Sequence, residues 1–412
     1  MRESFRPTGT ALTETSGRPS RTVLGGVVAA LLASLVVPPA PAVAAPNCPG
    51  PAGGVAPAET PWALRRLDPA SAWRITRGER VTVAVIDSGV SPSHPLLKGQ
   101  VREGRDFNGL PSMRGRCDLA GHGTIVAGII AGRDDTGAPY SGIAPAARIL
   151  PVRVLPDTQR TSDPGLPVQI ANAIRWSADQ DVQVINLSLV TVDHPELARA
   201  VDYALGKGVV VVAAAGNRQQ EQQDLPAYPA AYPGVIAVAG VDREGGHVGS
   251  SVSGNYVDIA APGLDIVGPA PGGQGYLAEP QGGTSFAAAY VSGAAALIRA
   301  ARPDLTPEQV AYRLTRTADS PPEGHNPELG YGVVNPYRAL TSLLGTRTDP
   351  PVGAMPPPGA AEDPLSWQRT VALWVAGAAG VLALALLAAR PIVALGRRRK
   401  WRPGRRAETV DA

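Results

Sequence analysis

The chain has 412 residues, 44% hydrophobic and 18% charged, which is too apolar for a disordered polypeptide and ample for a large core. Its 47 glycines and 42 prolines follow no repeating triplet, which excludes a collagen-like chain and predicts many tight turns. The formal charge of +3 does not point to nucleic acid: residues 1–22 carry net +2 and residues 390–412 net +6, leaving about −5 for the segment between them.

In chain order, an Arg-bearing stretch precedes an apolar run from Val23 to Val37, and small residues follow at Ala42-Val43-Ala44. That order predicts a secretory signal peptide over 1–45, cleaved near Ala44 or Ala45, with an uncleaved membrane anchor as the alternative. Lipidation of Cys48 is not expected, because Ala45-Pro46-Asn47 before it is not a small apolar motif. From Val81 onward, short runs rich in Val and Ile alternate with amphipathic stretches. Strands are predicted at 81–86, 148–155, 182–189, 209–216 and 235–241, and helices at 168–179 and 195–205. Two more helices are expected at 284–300 and 306–318, the latter with Thr306 as N-cap and Pro307 in its first turn. Strand and helix alternation predicts an α/β fold, a parallel sheet with helices on both faces. Length alone suggests two or three domains at about 150 residues each. The continuous alternation over 81–345 argues instead for one large unit.

After it, residues 346–366 are Pro-rich without apolar periodicity and read as an extended spacer. Val371 to Ala389 is uncharged over 19 residues, roughly 28 Å as a helix, so a transmembrane helix region is expected over 367–395. Trp367 and Trp374 lie near its start, and Arg397-Arg398-Arg399-Lys400 opens a basic tail over 396–412. Positive charge stays in the cytoplasm, so the tail is expected inside and the large unit outside a cell membrane crossed once.

Three polar residues stand where a strand ends or a helix begins. Asp87 follows VTVAVI, His122 opens the apolar run after Gly121, and Ser285 follows Gly282-Gly283-Thr284. A serine hydroxyl becomes nucleophilic when a neutral imidazole takes its proton, and a carboxylate fixes the imidazole's tautomer. A fourth residue, Asn217 after VVVVAAAG, carries a side-chain amide able to share an oxyanion with the Ser285 N–H. The other histidines fit this chemistry less well. His94 is followed by Pro95 and reads as structural. The sequon Asn186-Leu187-Ser188 falls on a predicted core strand and reads as accidental.

In that order, these segments resemble the subtilisin-like serine protease family over residues 60–342. The likeness is carried by VAVIDSGV around Asp87, GHGTIVAGIIAG around His122, AAAGN ending at Asn217, VDIAAPG at 257–263 and GGTSFAAAYVSGAAAL around Ser285. The resemblance implies that Asp87, His122 and Ser285 are a catalytic triad and Asn217 the oxyanion donor, in the subtilisin chain order. It also implies that Ser188, Leu189, Val190 and Gly216 bind substrate, since the family holds an extended peptide along this segment. The family usually has Gly where Val190 stands, so either the specificity pocket is narrowed or the strand is slightly shifted.

Secreted subtilisins usually carry a folded N-terminal chaperone domain, but residues 46–80 are too few for one. They are expected to form an extension packed on the catalytic domain. Cys48 and Cys117 are the only cysteines, so in an oxidising compartment one disulfide is expected, tying the extension to the loop before His122, with two free thiols as the alternative. No residue cluster has metal-ligand spacing, so no metal or cofactor is expected, although a loop calcium site stays open.

Signal peptide, extension, subtilisin-like domain, spacer, single membrane helix and basic tail together resemble the mycosins, membrane-anchored proteases of type VII secretion systems. That resemblance implies a protein or peptide substrate and association with a type VII secretion membrane complex. Two further readings stay open: a structural stabiliser of that complex with proteolysis secondary, and an unspecific surface protease.

Overall fold

The computed structural model describes residues 48–110, 113–156, 163–218, 225–344 and 366–402. The expected signal peptide, almost all of the spacer and the distal basic tail lie outside the described residues. Two units are distinguished, one ending at Ser342 and one beginning at Leu343.

Short runs of Val, Ile and Ala build the first unit's main sheet. Its strands are β1 (Thr82–Asp87), β2 (Arg105–Asp106), β3 (Arg148–Arg153), β4 (Val184–Leu187), β5 (Val210–Ala214), β6 (Ile236–Val241) and β7 (Ile259–Pro262). They pair in parallel in the order β2-β3-β1-β4-β5-β6-β7. An antiparallel hairpin, β8 (Ile266–Pro269) with β9 (Tyr276–Glu279), stands apart from it.

The helices are α1 (Trp62–Leu67), α2 (Pro69–Ala72), α3 (His122–Ala131), α4 (Leu166–Ala178), α5 (Pro195–Gly206), α6 (Thr284–Ala301), α7 (Pro307–Arg316), α8 (Pro336–Thr341) and, in the second unit, α9 (Ser366–Arg398). Alternation along β1 divides two cores. Val83 and Val85 pack with α3 and α6 on one face, while Ala84 and Ile86 pack with α4 and α5 on the other. Both faces are thus covered, which is why the strands read as unbroken apolar runs.

Several ends differ from the expected ones for local reasons. β3 stops at Arg153 because the Val154 and Leu155 N–H groups turn to the Asp87 carbonyl. β5 stops before Gly216, whose φ of 105° leaves the extended region. α7 begins as expected, with a capping box between Thr306 and Gln309. The hairpin, β7 and the short helices α1, α2 and α8 were not among the expected elements.

Residues before β1 lie against this unit. Gly54 exchanges two hydrogen bonds with Tyr276 of β9, at 2.8 and 3.1 Å. Trp62 Nε1 donates to the Leu264 and Asp265 carbonyls, and Trp73 Nε1 to that of Ile143. A disulfide joins Cys48 to Cys117, with a Cα–Cα distance of 5.6 Å.

In the second unit, Thr370–Arg398 of α9 has a mean hydropathy of 2.4 over its most apolar stretch and is long enough to cross a membrane. This exceeds the 19 residues expected, because the helix continues through Pro391 into the basic cluster.

Candidate active site

The site lies at the carboxyl edge of the parallel sheet, where open α/β sheets bind their ligands. Asp87 ends β1 and is fully buried. Its Oδ1 is 2.8 Å from His122 Nδ1 and also accepts the Ser88 N–H at 2.7 Å. The imidazole is thereby held by its inner nitrogen, which leaves Nε2 to handle a proton. Burial works against the imidazolium, but the charge and hydrogen bond of Asp87 outweigh it, and Asp118 and Glu279 add to them. The pKa of His122 consequently stands above the ordinary value of 6.5.

His122 is the first residue of α3, and its entry is fixed by a carboxylate that did not figure in the sequence reading. Asp118, fully buried, accepts from Ala120 N, Gly121 N and Ser88 Oγ at Oδ1, and from Thr124 N and Thr124 Oγ1 at Oδ2. Ser88 Oγ in turn accepts the Gly123 N–H at 3.0 Å. The Gly after His122 is required by this packing, since a Cβ on Gly123 would collide with the Gly89 carbonyl. Asp118 stands three residues before Gly121 and six before Thr124, outside the two- or three-residue reach of an ordinary N-cap, so the sequence carries no capping signal for it.

Ser285 is the second residue of α6. Its Oγ donates to the Ser188 carbonyl at 3.1 Å, and Ser188 Oγ donates to the Ser285 carbonyl at 2.7 Å. About two turns along α6, Ser292 donates to Asn186 Oδ1, and Asn186 Nδ2 donates to Ser188 Oγ. These bonds fix α6 against β4, and they leave Asn186 buried, so the sequon is closed to glycosylation. In the first turn of α6 the Ser285 N–H points away from the helix interior as a donor.

Asn217 follows β5. Its Oδ1 accepts from Thr284 N at 3.0 Å and Thr284 Oγ1 at 3.2 Å, so the amide's NH2 end is turned the other way. Gly216 donates to Thr284 Oγ1, and around its α-carbon stand Ala227 Cβ, Val252 Cγ2 and Val190 Cγ1, the last 3.7 Å from where a Cβ would lie. Leu189 is buried and Val190 half-buried beside it. His122 stands against Phe286, the residue after Ser285, with ring centroids 5.3 Å apart, so the Asp87–His122 pair and the start of α6 share this edge, although the Ser285 hydroxyl is bonded to Ser188 and not to His122. Cys117 borders it through the loop that leads to Asp118. Among the described residues no group of His, Cys, Asp and Glu is arranged to hold a metal ion.

An Asp–His pair beside a serine at a helix start, on a seven-stranded parallel sheet, defines a subtilisin-like serine endopeptidase. Residues 78–332 match the subtilase family of S8 peptidases, and the chain belongs to that family. Within it the chain is 35% identical to mycosin-1 of Mycobacterium tuberculosis over 384 residues, 79% of this chain and 85% of that one. The crystal structure of MycP1 with its N-terminal propeptide removed is 34% identical, with a TM-score of 0.63 over 70% of this chain and all of that one. A chain in the periplasmic assembly from the ESX-5 inner membrane complex is 31% identical, with a TM-score of 0.63 over 76% of this chain and 92% of that one.

Proposed function

We propose that the protein is a membrane-anchored endopeptidase in which Ser285 is the nucleophile, His122 the general base and acid, and Asp87 the group that orients and stabilises the imidazolium. The observation that carries this reading is the 2.8 Å contact between Asp87 Oδ1 and His122 Nδ1 at the sheet edge where α6 presents Ser285. The Ser285 hydroxyl turns from the Ser188 carbonyl to His122 Nε2, gives up its proton and attacks the scissile carbonyl. Asn217 Nδ2 and the Ser285 N–H receive the oxyanion, aided by the positive end of α6. His122 then protonates the leaving amine, and water hydrolyses the acyl-enzyme by the same route. Val190, facing Gly216, narrows the pocket for the side chain before the scissile bond and favours small residues there.

The test is covalent labelling of full-length, detergent-extracted protein by a fluorophosphonate probe. Labelling that Ser285→Ala abolishes supports the assignment, and folded protein that takes up no probe overturns it.

The helix α9 supports anchoring, with the catalytic unit outside the cytoplasmic membrane, and the similarity to mycosins and to a chain of the ESX-5 assembly supports work at a type VII secretion complex on its protein substrates. The same similarity favours a second reading, in which the protein stabilises such a complex and proteolysis is secondary. Secretion in a Ser285→Ala strain that matches wild type while a deletion strain fails to secrete favours the second reading; equal failure of both favours the first.

A further inference from the structure

Beside the triad stands a carboxylate that the mechanism does not use. Leu277 and Glu279 share one face of β9. Leu277 Cδ1 lies 2.7 Å from where a Cβ on Gly121 would be, so this face looks onto the backbone next to His122. Across the hairpin, Gly268 is the register partner of Leu277 and packs on Ile125, one turn into α3. Glu279 is the last residue of β9, and its carbonyl accepts the Gly282 N–H at the turn that leads to Thr284 and Ser285. Three carboxylates act on the His122 imidazole. Asp87 and Asp118 are completely buried, whereas Glu279 is partly exposed and its carboxylate has no hydrogen-bond or ion-pair partner among the described residues.

The geometry points to Glu279 as a specificity residue that receives a basic side chain of the substrate, one or two positions after the scissile bond. This rests on the protease reading above. The acyl half of an extended peptide follows Ser188–Val190 and Gly216, on the β4 and β5 side of Ser285. The departing amine takes its proton from His122, so the leaving half passes on the His122 side, where β9 ends. A peptide lying there strips water from the Glu279 carboxylate, which is costly unless a cation arrives with it. Lys or Arg on the leaving half supplies that cation, and an acidic residue there is repelled.

The experiment uses full-length, detergent-extracted protein with active sites counted by a fluorophosphonate probe. Internally quenched peptides share one acyl half and carry Lys, Gln or Glu at the first or second position after the bond. The ratio of kcat/KM for Lys over Glu is expected to exceed about fivefold at low ionic strength, the size of a half-shielded charge pair, and to shrink with added salt. It is expected to collapse in Glu279→Gln and to invert in Glu279→Lys. Ratios are taken within one preparation, so any loss of folded enzyme cancels. A ratio that both variants leave unchanged overturns the assignment. So does a uniform slowing of all peptides with a shifted acid limb, because Glu279 would then act only through His122. Failure of the wild type to take up the probe is a different result, which overturns the protease reading itself.

Discussion

On the proposed mechanism His122 sets the pH range of the enzyme. It would have to be neutral to accept the Ser285 proton, and its pKa stands above 6.5 because, against the burial of the ring, the charge and hydrogen bond of Asp87 together with the charges of Asp118 and Glu279 prevail. Activity is therefore expected to fall as pH drops through a value above 6.5, and kcat/KM measured against pH reads that limb directly. Asp87→Asn removes the charge that lifts the pKa and also favours the wrong tautomer. The limb should move to lower pH, and kcat should fall by about 10⁴-fold, as in other Ser–His–Asp sites. On that mechanism Asn217 acts at a different atom. Its Oδ1 is occupied by Thr284, which leaves the NH2 end for the proposed oxyanion contact, and Asn217→Ala should then cost about 10²- to 10³-fold in kcat with KM little changed. Steady-state kinetics on one peptide separate that loss from the loss of binding expected for a substrate contact.

The loop from Cys117 to Thr124 is the element that delivers His122, and Asp118 holds it together by accepting from four residues. Asp118→Asn would set an NH2 group against donors already committed to a carboxylate. A loss of about 3 kcal/mol is expected by urea denaturation, together with a fall in probe labelling because the histidine is no longer held. The disulfide from Cys48 ties the same loop to the residues before β1. Replacing both cysteines with serine should lower stability by up to about 4 kcal/mol if the 69-residue separation acts through chain entropy. How much of this was legible follows from what each signal depends on. Strands β1, β3, β4, β5 and β6 and helices α4 to α7 were readable because burial on one face or both leaves a period in the sequence. The triad candidates were readable because small residues crowd them for steric reasons that the structure bears, as at Gly123. Asp118 and Glu279 were not, since a lone carboxylate in a loop or on a short strand acquires its meaning only from what the fold brings near it. The hairpin and β7 escaped because each strand is only four residues long and Pro262, Gly268 and Pro269 interrupt or end the apolar runs.

At the scale of the whole molecule, the charge of +3 conceals a division along the chain. The segment between the termini is net acidic, and the net positive charge sits in the first 22 residues and from Arg390 onward. Trp367 and Trp374 at one end of α9 and Trp401 beyond the other are all exposed, and the Trp401 ring folds back beside Gly396; from Trp374 to Gly396 the helix spans about 33 Å, close to the thickness of a bilayer's hydrocarbon core. Arg397, Arg398, Arg399 and Lys400 follow the apolar stretch directly, so the end beyond α9 is the one expected in the cytoplasm, and the spacer before α9 the one outside. The cysteines make this testable without a cysteine-free variant. Both are consumed by the disulfide, so a single added cysteine is the only thiol. Ala360→Cys in the spacer should react with a membrane-impermeant maleimide in intact cells, whereas Ala412→Cys should react only after permeabilisation. Reaction of Ala412→Cys in intact cells, with Ala360→Cys protected, would reverse the topology and place Ser285 on the cytoplasmic side. In that event the disulfide would lie in a reducing compartment, and the pairing of Cys48 with Cys117 would lose the conditions that maintain it. The labelling pattern and the oxidation state of the two cysteines should therefore change together or not at all.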